Sequence, residues 1–167
     1  MPTLKIFIAG LPNAGKTEFI KTISDLPLVS VEKKIVKTET IVDMDYGRVN
    51  LKQNMVYMYA PVKETDFAFL WESLASEMHG SILLVDSTAP LSFSRAAELS
   101  EVFSNPKQAP LLVVANKMDS ANAVSLIEVQ KAMRVVSSDN IVPCTATIKS
   151  SVRSVLLKML ALLDQVE

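Results

Sequence analysis

The feature that most constrains this chain is the segment Gly10–Thr17, which reads GLPNAGKT and fits the pattern G-x-x-x-x-G-K-[ST]. It stands between an apolar strand-like run, Lys5–Ala9, and a helix-like segment, Lys16–Ser24. Two glycines let the backbone wrap closely, so that consecutive N–H groups point at phosphate oxygens. The helix that follows adds its positive N-terminal end. A strand, this loop and a helix in that order predict a polyphosphate site at one end of the strand.

The residues predicted to hold the phosphates have separate roles. The Lys16 ammonium would bridge the β- and γ-phosphates, and the Thr17 hydroxyl would ligate Mg²⁺. The whole predicted set is Gly10, Asn13, Ala14, Gly15, Lys16, Thr17 and Glu18. A glycine-containing turn that matches by chance is the alternative, and the flanking strand and helix weigh against it.

A second motif, Asn116-Lys117-Met118-Asp119, follows the buried-strand pattern Leu111–Ala115. The Asp119 carboxylate can accept hydrogen bonds from the N1–H and 2-amino groups of guanine. Adenine offers neither donor and would leave a desolvated charge unpaired. Asn116 would hold N7 and tie neighbouring loops together, and the Lys117 stem would cover one face of the ring. The four residues alone could form a helix-capping turn, but their place at the carboxyl end of a strand favours a guanine site.

Apolar runs alternate with helix-period segments along the chain. Buried strands are predicted at Lys5–Ala9, Ser81–Val85, Leu111–Ala115 and Ile141–Val142, and helices at Lys16–Ser24, Phe67–Met78, Ser92–Phe103, Ala123–Val135 and Val152–Leu163. Thr40–Val49 and Met55–Ala60 are too close together for a crossover helix and predict an antiparallel hairpin. Val31–Lys34 is interpreted as a solvated loop. The sum is an α/β fold, a mostly parallel sheet with one antiparallel strand and helices on both faces, in one domain over residues 1–167.

Composition limits the class of protein. Hydrophobic residues make up 49% and charged residues 21% of the 167, which is typical of a packed globule. A net charge of −1 gives no basic excess that would favour nucleic acid or an anionic membrane surface. Cys144 is the single cysteine, so an intramolecular disulfide is impossible and a reducing compartment is favoured. No signal peptide, lipidation motif or membrane-length apolar run is present, so we expect a soluble cytoplasmic protein without a direct membrane anchor.

With Gly10–Thr17, Asn116–Asp119 and Cys144-Thr145-Ala146 in this order, the chain resembles the Ras-like small GTPases over almost its whole length. The segment Thr40–Arg48 (TIVDMDYGR) is similar to a strand of one prokaryotic branch, the gliding-protein MglA-like and conservon-type GTPases. The resemblance implies a six-stranded Ras-like P-loop NTPase domain that binds GTP or GDP with Mg²⁺. It also implies roadblock or longin-like proteins as regulators or effectors.

The resemblance assigns further residues by position. Thr145 and Ala146 would lie at the guanine, with the Ala146 N–H donating to O6. Thr40, or otherwise Thr38, would occupy the first switch, where a hydroxyl meets Mg²⁺ as the loop closes over the γ-phosphate. Either threonine could equally be an ordinary β-branched strand residue.

The second switch departs from the family pattern. A D-x-x-G-Q motif should follow the second hairpin strand, but the chain reads YAPVKETD over Tyr59–Asp66. Alignment places Ala60 or Pro61 at the Asp that helps to hold Mg²⁺, Lys63 near the Gly, and Glu64 at the Gln that positions water. The loop is then either a degraded switch or a variant in which Lys63 and Glu64 act. In the variant, Glu64 would be a catalytic candidate beside Lys16 and Thr40.

Two functions stay open at this stage. One is a slow, partner-dependent GTP/GDP switch that regulates protein partners. The other is a pseudo-GTPase, a binding module that holds nucleotide without useful hydrolysis. An ATP-using P-loop enzyme would require Asn116–Asp119 to be incidental.

Five other residues invite a functional interpretation. Asp86 ends an apolar strand like a metal-binding carboxylate, but a turn or helix-capping role beside the following serine and threonine is favoured. Arg48 could be an internal arginine finger, or a surface strand residue. His79 and Cys144 are interpreted as structural, and Trp71 as part of the core stripe, with an exposed edge as a possible partner site.

Overall fold

The computed structural model describes residues 2–35, 39–62, 67–103 and 109–165, and within them the chain forms one seven-stranded sheet. The strands are β1 (Thr3–Gly10), β2 (Val29–Ile35), β3 (Thr40–Leu51), β4 (Asn54–Pro61), β5 (Gly80–Asp86), β6 (Leu111–Asn116) and β7 (Ile141–Pro143). Their spatial order is β2-β3-β4-β1-β5-β6-β7. Only β3 runs against its neighbours, and every other pairing, from β4 to β7, is parallel.

Helices cover both faces of this sheet, as the alternating sequence pattern predicts. They are α1 (Lys16–Ile23), α2 (Phe67–Leu74), α3 (Phe93–Phe103), α4 (Leu126–Ala132) and α5 (Lys149–Asp164). One buried cluster joins α1 and α5 to the sheet, and a second joins α2, α3 and α4 to the opposite face. The predicted α/β class, with one antiparallel strand, is therefore confirmed.

The central strands are buried on both faces because their sequences are apolar at successive positions. In β1, residues 6 to 10 are all buried, and in β5 the first six residues are. A parallel strand that is covered by helices on both sides has no solvent-exposed face, so its sequence does not alternate between polar and apolar residues. The carboxyl ends of β1, β5 and β6 meet at one edge of the sheet, where ligands of open α/β folds bind.

The antiparallel hairpin is confirmed, and its turn is tight. Leu51 pairs with Asn54, and the two residues between them, Lys52 and Gln53, have φ of 47° and 66°. Two consecutive left-handed residues form the connection whose twist suits a two-residue hairpin.

Two sequence predictions about elements are wrong. Val31–Lys34 is not a solvated loop but part of β2, so the sheet has seven strands rather than six. As an edge strand with one neighbour, β2 tolerates the charged residues that suggested a loop. The helix predicted from Ala123 instead begins at Leu126, because the Ser125 hydroxyl caps it by accepting the N–H of Glu128 at 3.2 Å.

Trp71 on α2 is 1% exposed and packs against two phenylalanines, as its place in the predicted core stripe suggests. Its ring centroid lies 5.7 Å from that of Phe7 and 5.0 Å from that of Phe103. Across the part of the chain that is described, no helix has both the length and the apolar content to cross a bilayer.

Candidate functional site

The predicted phosphate loop joins β1 to α1 through a glycine that no other residue could replace without strain. Gly15 has φ of 103°, in the left-handed region, immediately before the first helical residue. A Cβ built on Gly15 would collide with Nδ2 of Asn116. Gly15 also has no side chain to cap the helix, so the first N–H groups of α1 keep the positive character that attracts anions.

The Lys16 ammonium lies over the loop that it is predicted to serve. Its Nζ donates to the carbonyl oxygen of Gly10 at 2.7 Å and to that of Leu11 at 3.3 Å. These contacts keep the cation at the mouth of the loop, where a polyphosphate would meet it.

Asn116 is the hub that connects the two motifs. Its side chain is 1% exposed, donates from Nδ2 to the Ala14 carbonyl at 2.8 Å, and accepts the Ala146 N–H on Oδ1 at 3.0 Å. The predicted role of tying loops together is therefore present in the geometry. Because a carboxamide nitrogen carries two N–H groups, a second one is compatible with the predicted contact to N7. The Ala146 N–H, predicted to donate to guanine O6, donates to Asn116 in this structure.

Lys117 pairs with Asp86, for which the sequence favoured a turn or helix-capping role over a metal-binding one. Asp86, at the end of β5, forms an ion pair with the Lys117 ammonium at 2.9 Å. Its other oxygen accepts the backbone N–H of Thr88 at 2.9 Å and the hydroxyl of Thr88 at 2.6 Å, which is the expected turn role. Burial favours the neutral acid, but the hydrogen bonds from Thr88 and Lys117 outweigh it and hold the pKa of Asp86 below its ordinary value. Asp86 and Asn116 end neighbouring strands and pair with each other, which places Asp86 beside Lys117, the next residue after Asn116. Their common position at strand ends was the sign of this contact in the sequence.

A cavity of about 370 Å³ lies between the two motifs, within the size range of small-ligand pockets. Seven of its lining residues belong to the predicted phosphate and guanine sets: Gly15, Glu18, Asn116, Lys117, Asp119, Thr145 and Ala146. Thr88, Ser120 and Thr147, which the sequence did not single out as site residues, also line it. Asp119 is exposed, so a carboxylate at the cavity wall is accessible to a ligand. Sequence positions more than 100 apart thus meet in one cleft at the carboxyl edge of the sheet.

Comparison with known proteins identifies the class of this chain. A sequence model of the ADP-ribosylation factor family matches residues 2–163. The chain belongs to this family. It is also 28% identical over 131 residues to ADP-ribosylation factor-related protein 1 of Rattus norvegicus and 27% identical over 124 residues to the small COPII coat GTPase SAR1 of Giardia intestinalis. These alignments cover 76% and 72% of this chain, but only 65% and 61% of those proteins.

Solved structures agree on the fold. The Arl6 BBS3 small GTPase from Trypanosoma brucei, with the bound nucleotide analogue GppNp, gives a TM-score of 0.74 with 17% identity and covers 98% of both chains. The G domain of the FeoB iron transporter from T. maritima gives a TM-score of 0.69 with 17% identity, over 95% of this chain and 98% of that one. The prediction of a Ras-like small GTPase is confirmed, while the narrower MglA-like and conservon-type resemblance stays a prediction.

The predicted magnesium site of this ADP-ribosylation factor family member lies partly outside the described residues. Thr40 begins β3, but its side chain is not described, and Thr38, Lys63 and Glu64 lie outside the described residues. Within the described ranges, no three His, Cys, Asp or Glu side chains cluster as a metal site. Thr17, exposed on the first turn of α1, is the described residue that fits as a ligand.

Sequence reasoning missed one carboxylate beside Thr17. The Thr17 hydroxyl donates to Oδ2 of Asp45, on β3, at 2.7 Å. Asp45 is 7% exposed, which is unusual for an aspartate and needs an explanation. A charged residue in the middle of an apolar strand pattern, Met44-Asp45-Tyr46, was the available sign.

The other singled-out residues have structural surroundings. Cys144 is 2% exposed, and burial raises the pKa of its thiol despite a hydrogen bond from Ser151, so it is a packed side chain. His79 is exposed and accepts the Lys5 N–H on Nδ1 at 3.0 Å, which ties the start of β5 to β1. Arg48 is partly buried on β3.

Proposed function

We propose that this chain binds GTP and GDP, with Mg²⁺, in the cleft between Gly10–Thr17 and Asn116–Asp119. The observation that carries the proposal is the bridge formed by Asn116, which fixes the two motifs on either side of the cavity. Membership of the ADP-ribosylation factor family supports it independently. We also propose that residues 1–167 act as one G domain in the cytoplasm.

The residues of this chain have distinct tasks in that complex. Lys16 would exchange its carbonyl partners on Gly10 and Leu11 for phosphate oxygens, which are stronger acceptors because they are charged. The N–H groups at the start of α1 would face the same phosphates. Thr17, with Thr40 as the second predicted ligand, would hold Mg²⁺, which neutralises charge on the β- and γ-oxygens when bound.

The preference for guanine depends on Asp119, because only a carboxylate accepts from both N1–H and the 2-amino group. Asp119→Asn should weaken GTP binding by about 10- to 100-fold, since hydrogen bonds to a charged group contribute about 1.5–3 kcal/mol. The same variant should bind xanthosine triphosphate more tightly than the wild type, because the 2-oxo group of xanthine needs a donor. Titration of both nucleotides by calorimetry measures the two affinities. Unchanged GTP affinity would remove the proposed base contact.

We propose that the chain acts as a slow switch whose hydrolysis depends on a protein partner. The family supports this function, and a supplied arginine can raise a slow GTPase rate by about 10³–10⁵. Roadblock or longin-like proteins are the proposed regulators or effectors, on the resemblance to MglA-like and conservon-type GTPases.

A pseudo-GTPase is the second candidate, and β4 favours it. The strand ends at Ala60 and Pro61, where the family pattern has the Asp of the second switch. Without the D-x-x-G-Q motif, the chain lacks the glutamine that positions the attacking water in the family pattern.

Single-turnover hydrolysis separates these two functions. The protein is loaded with GTP and Mg²⁺, and phosphate release is followed with and without roadblock and longin-like proteins. Release within minutes to hours, faster with a partner, supports the switch, and retention of intact GTP under all conditions supports the pseudo-GTPase. Lys16→Ala, expected to lose nucleotide, gives the background.

A further inference from the structure

Asp45 is a buried carboxylate directed at the predicted magnesium ligand. Its Oδ2 accepts from the Thr17 hydroxyl at 2.7 Å, and its Oδ1 accepts from the Ser30 hydroxyl at 3.3 Å. Both of these donors are neutral hydroxyl groups. Buried carboxylates are costly in proteins unless they pair with a cation or coordinate a metal. Within the described residues, these two hydroxyls satisfy part of its hydrogen-bonding capacity and supply no balancing positive charge.

The sheet register places Asp45 beside the position where the family pattern has its second-switch Asp. Asp45 on β3 pairs directly with Ala60 on β4. Ala60 is one of the two positions that align with the missing second-switch Asp. Directly paired residues of antiparallel strands project their side chains on the same face, with Cβ atoms about 4.5–5.5 Å apart. Ala60 is fully buried in the cluster beneath α1 that includes Ala14 of the phosphate loop.

At this position β4 carries Ala60 instead of the carboxylate of the family pattern, and the adjacent strand carries Asp45. The Ala60 side chain is only a methyl group, whereas the longer Asp45 side chain reaches from β3 to the first turn of α1. The hydrogen bond to Thr17 brings this carboxylate to the predicted magnesium ligand.

We propose that Asp45 replaces the missing second-switch Asp in stabilising Mg²⁺ beside Thr17. The inference rests on the proposed binding of guanine nucleotide. Asp45 is a positioning residue: because the Thr17 hydroxyl donates its hydrogen bond to Asp45, the lone pairs of the hydroxyl oxygen stay available to the ion. The negative charge of Asp45 adds electrostatic stabilisation at short range. Asp86, the carboxylate at the end of β5, is committed to Lys117 and Thr88.

Release of a fluorescent GDP with Mg²⁺ and with excess EDTA tests the proposal. The ratio of the two rates measures what Mg²⁺ contributes, separately from hydrolysis. In Asp45→Asn this ratio should fall by about 10- to 100-fold relative to the wild type, because one charge-assisted interaction is lost. Release in EDTA should change little, since the loop and the guanine contacts remain.

Asp43→Asn is the matched control. Asp43 lies two residues earlier on β3, is exposed, and uses its backbone carbonyl to accept the Val62 N–H, which the substitution retains. In Asp43→Asn, the ratio of the GDP release rates in EDTA and in Mg²⁺ should equal that of the wild type. The double variant Asp45→Asn/Ala60→Asp returns a carboxylate to β4 and should regain part of the Mg²⁺ effect. If circular dichroism shows that it is folded and it regains none, the two positions are not equivalent and the proposal fails.

The outcomes separate two failures. If EDTA speeds GDP release from the wild type, and the ratio of the release rates in EDTA and in Mg²⁺ is the same in Asp45→Asn, the role of Asp45 is overturned. The proposed function stays intact in that case. Equal acceleration of release by Asp45→Asn in Mg²⁺ and in EDTA assigns Asp45 a purely structural role and also overturns it. A wild type that binds no guanine nucleotide overturns the proposed function, and this inference with it.

Discussion

Gly15 and Asn116 act as a pair, although 101 positions separate them. The glycine leaves the space that the Asn116 amide fills, and the amide fastens the loop through the Ala14 carbonyl at 2.8 Å. The motif pattern predicts the glycine from backbone geometry. The sequence also predicted that Asn116 ties loops together. Only the packing shows that the Asn116 amide needs a glycine at position 15, because a Cβ there would collide with it.

Gly15→Ala should lower the free energy of unfolding by roughly 2–5 kcal/mol, from a left-handed alanine and an overpacked contact. Chemical denaturation measures this change, and GDP release should quicken because the amide is displaced. Asn116→Ala removes the colliding atom, so the double variant should lose less than the sum of the single losses. Additive losses would contradict the coupling.

At the scale of elements, α1 is tied to β3 near its C-terminal end. The Ser24 hydroxyl accepts the Arg48 N–H at 3.2 Å, and the Asp25 N–H donates to the Arg48 carbonyl at 2.7 Å. Between this tie and the Thr17–Asp45 bond lies Gly47, where a Cβ would be 2.5 Å from Cγ2 of Ile20. The glycine lets α1 approach the strand closely, which brings Thr17 within reach of Asp45.

Gly47→Ala should therefore push α1 from β3 and cost about 1–3 kcal/mol of stability. It should also reduce the Mg²⁺ effect on GDP release, since the Thr17–Asp45 contact depends on the same approach. Asn50→Ala, an exposed position on the same strand whose backbone N–H still bonds Asp25, is the control. A stable Gly47→Ala protein with a normal Mg²⁺ effect would contradict the close-approach account.

At the scale of the whole molecule, Trp71, Phe7 and Phe103 join α2, β1 and α3 in one aromatic cluster. Phe7 belongs to the strand that enters the phosphate loop, so the cluster connects the face with α2 and α3 to the site. The protein contains one tryptophan, so its fluorescence reports on this cluster alone.

Phe103→Ala should lower the free energy of unfolding by about 3–5 kcal/mol, because it leaves a cavity beside two large rings. Urea titrations followed by Trp71 fluorescence and by far-ultraviolet circular dichroism should shift together. Leu91→Ala, at a side chain that is 99% exposed, should change stability by less than about 0.5 kcal/mol. A large shift in fluorescence alone would indicate that the cluster unfolds separately from the sheet.

The sequence by itself determined the phosphate loop, the N-K-x-D segment, the buried strands, the hairpin and the α/β class. These features follow from local rules: glycine conformations, apolar periods, and connections too short for a helix act between residues that are near in sequence. The tertiary structure alone decided that β2 pairs with β3, that Asp86 holds Lys117, and that Asp45 reaches Thr17. These contacts depend on strand register and on how closely a helix approaches the sheet, and both are set by packing between segments distant along the chain.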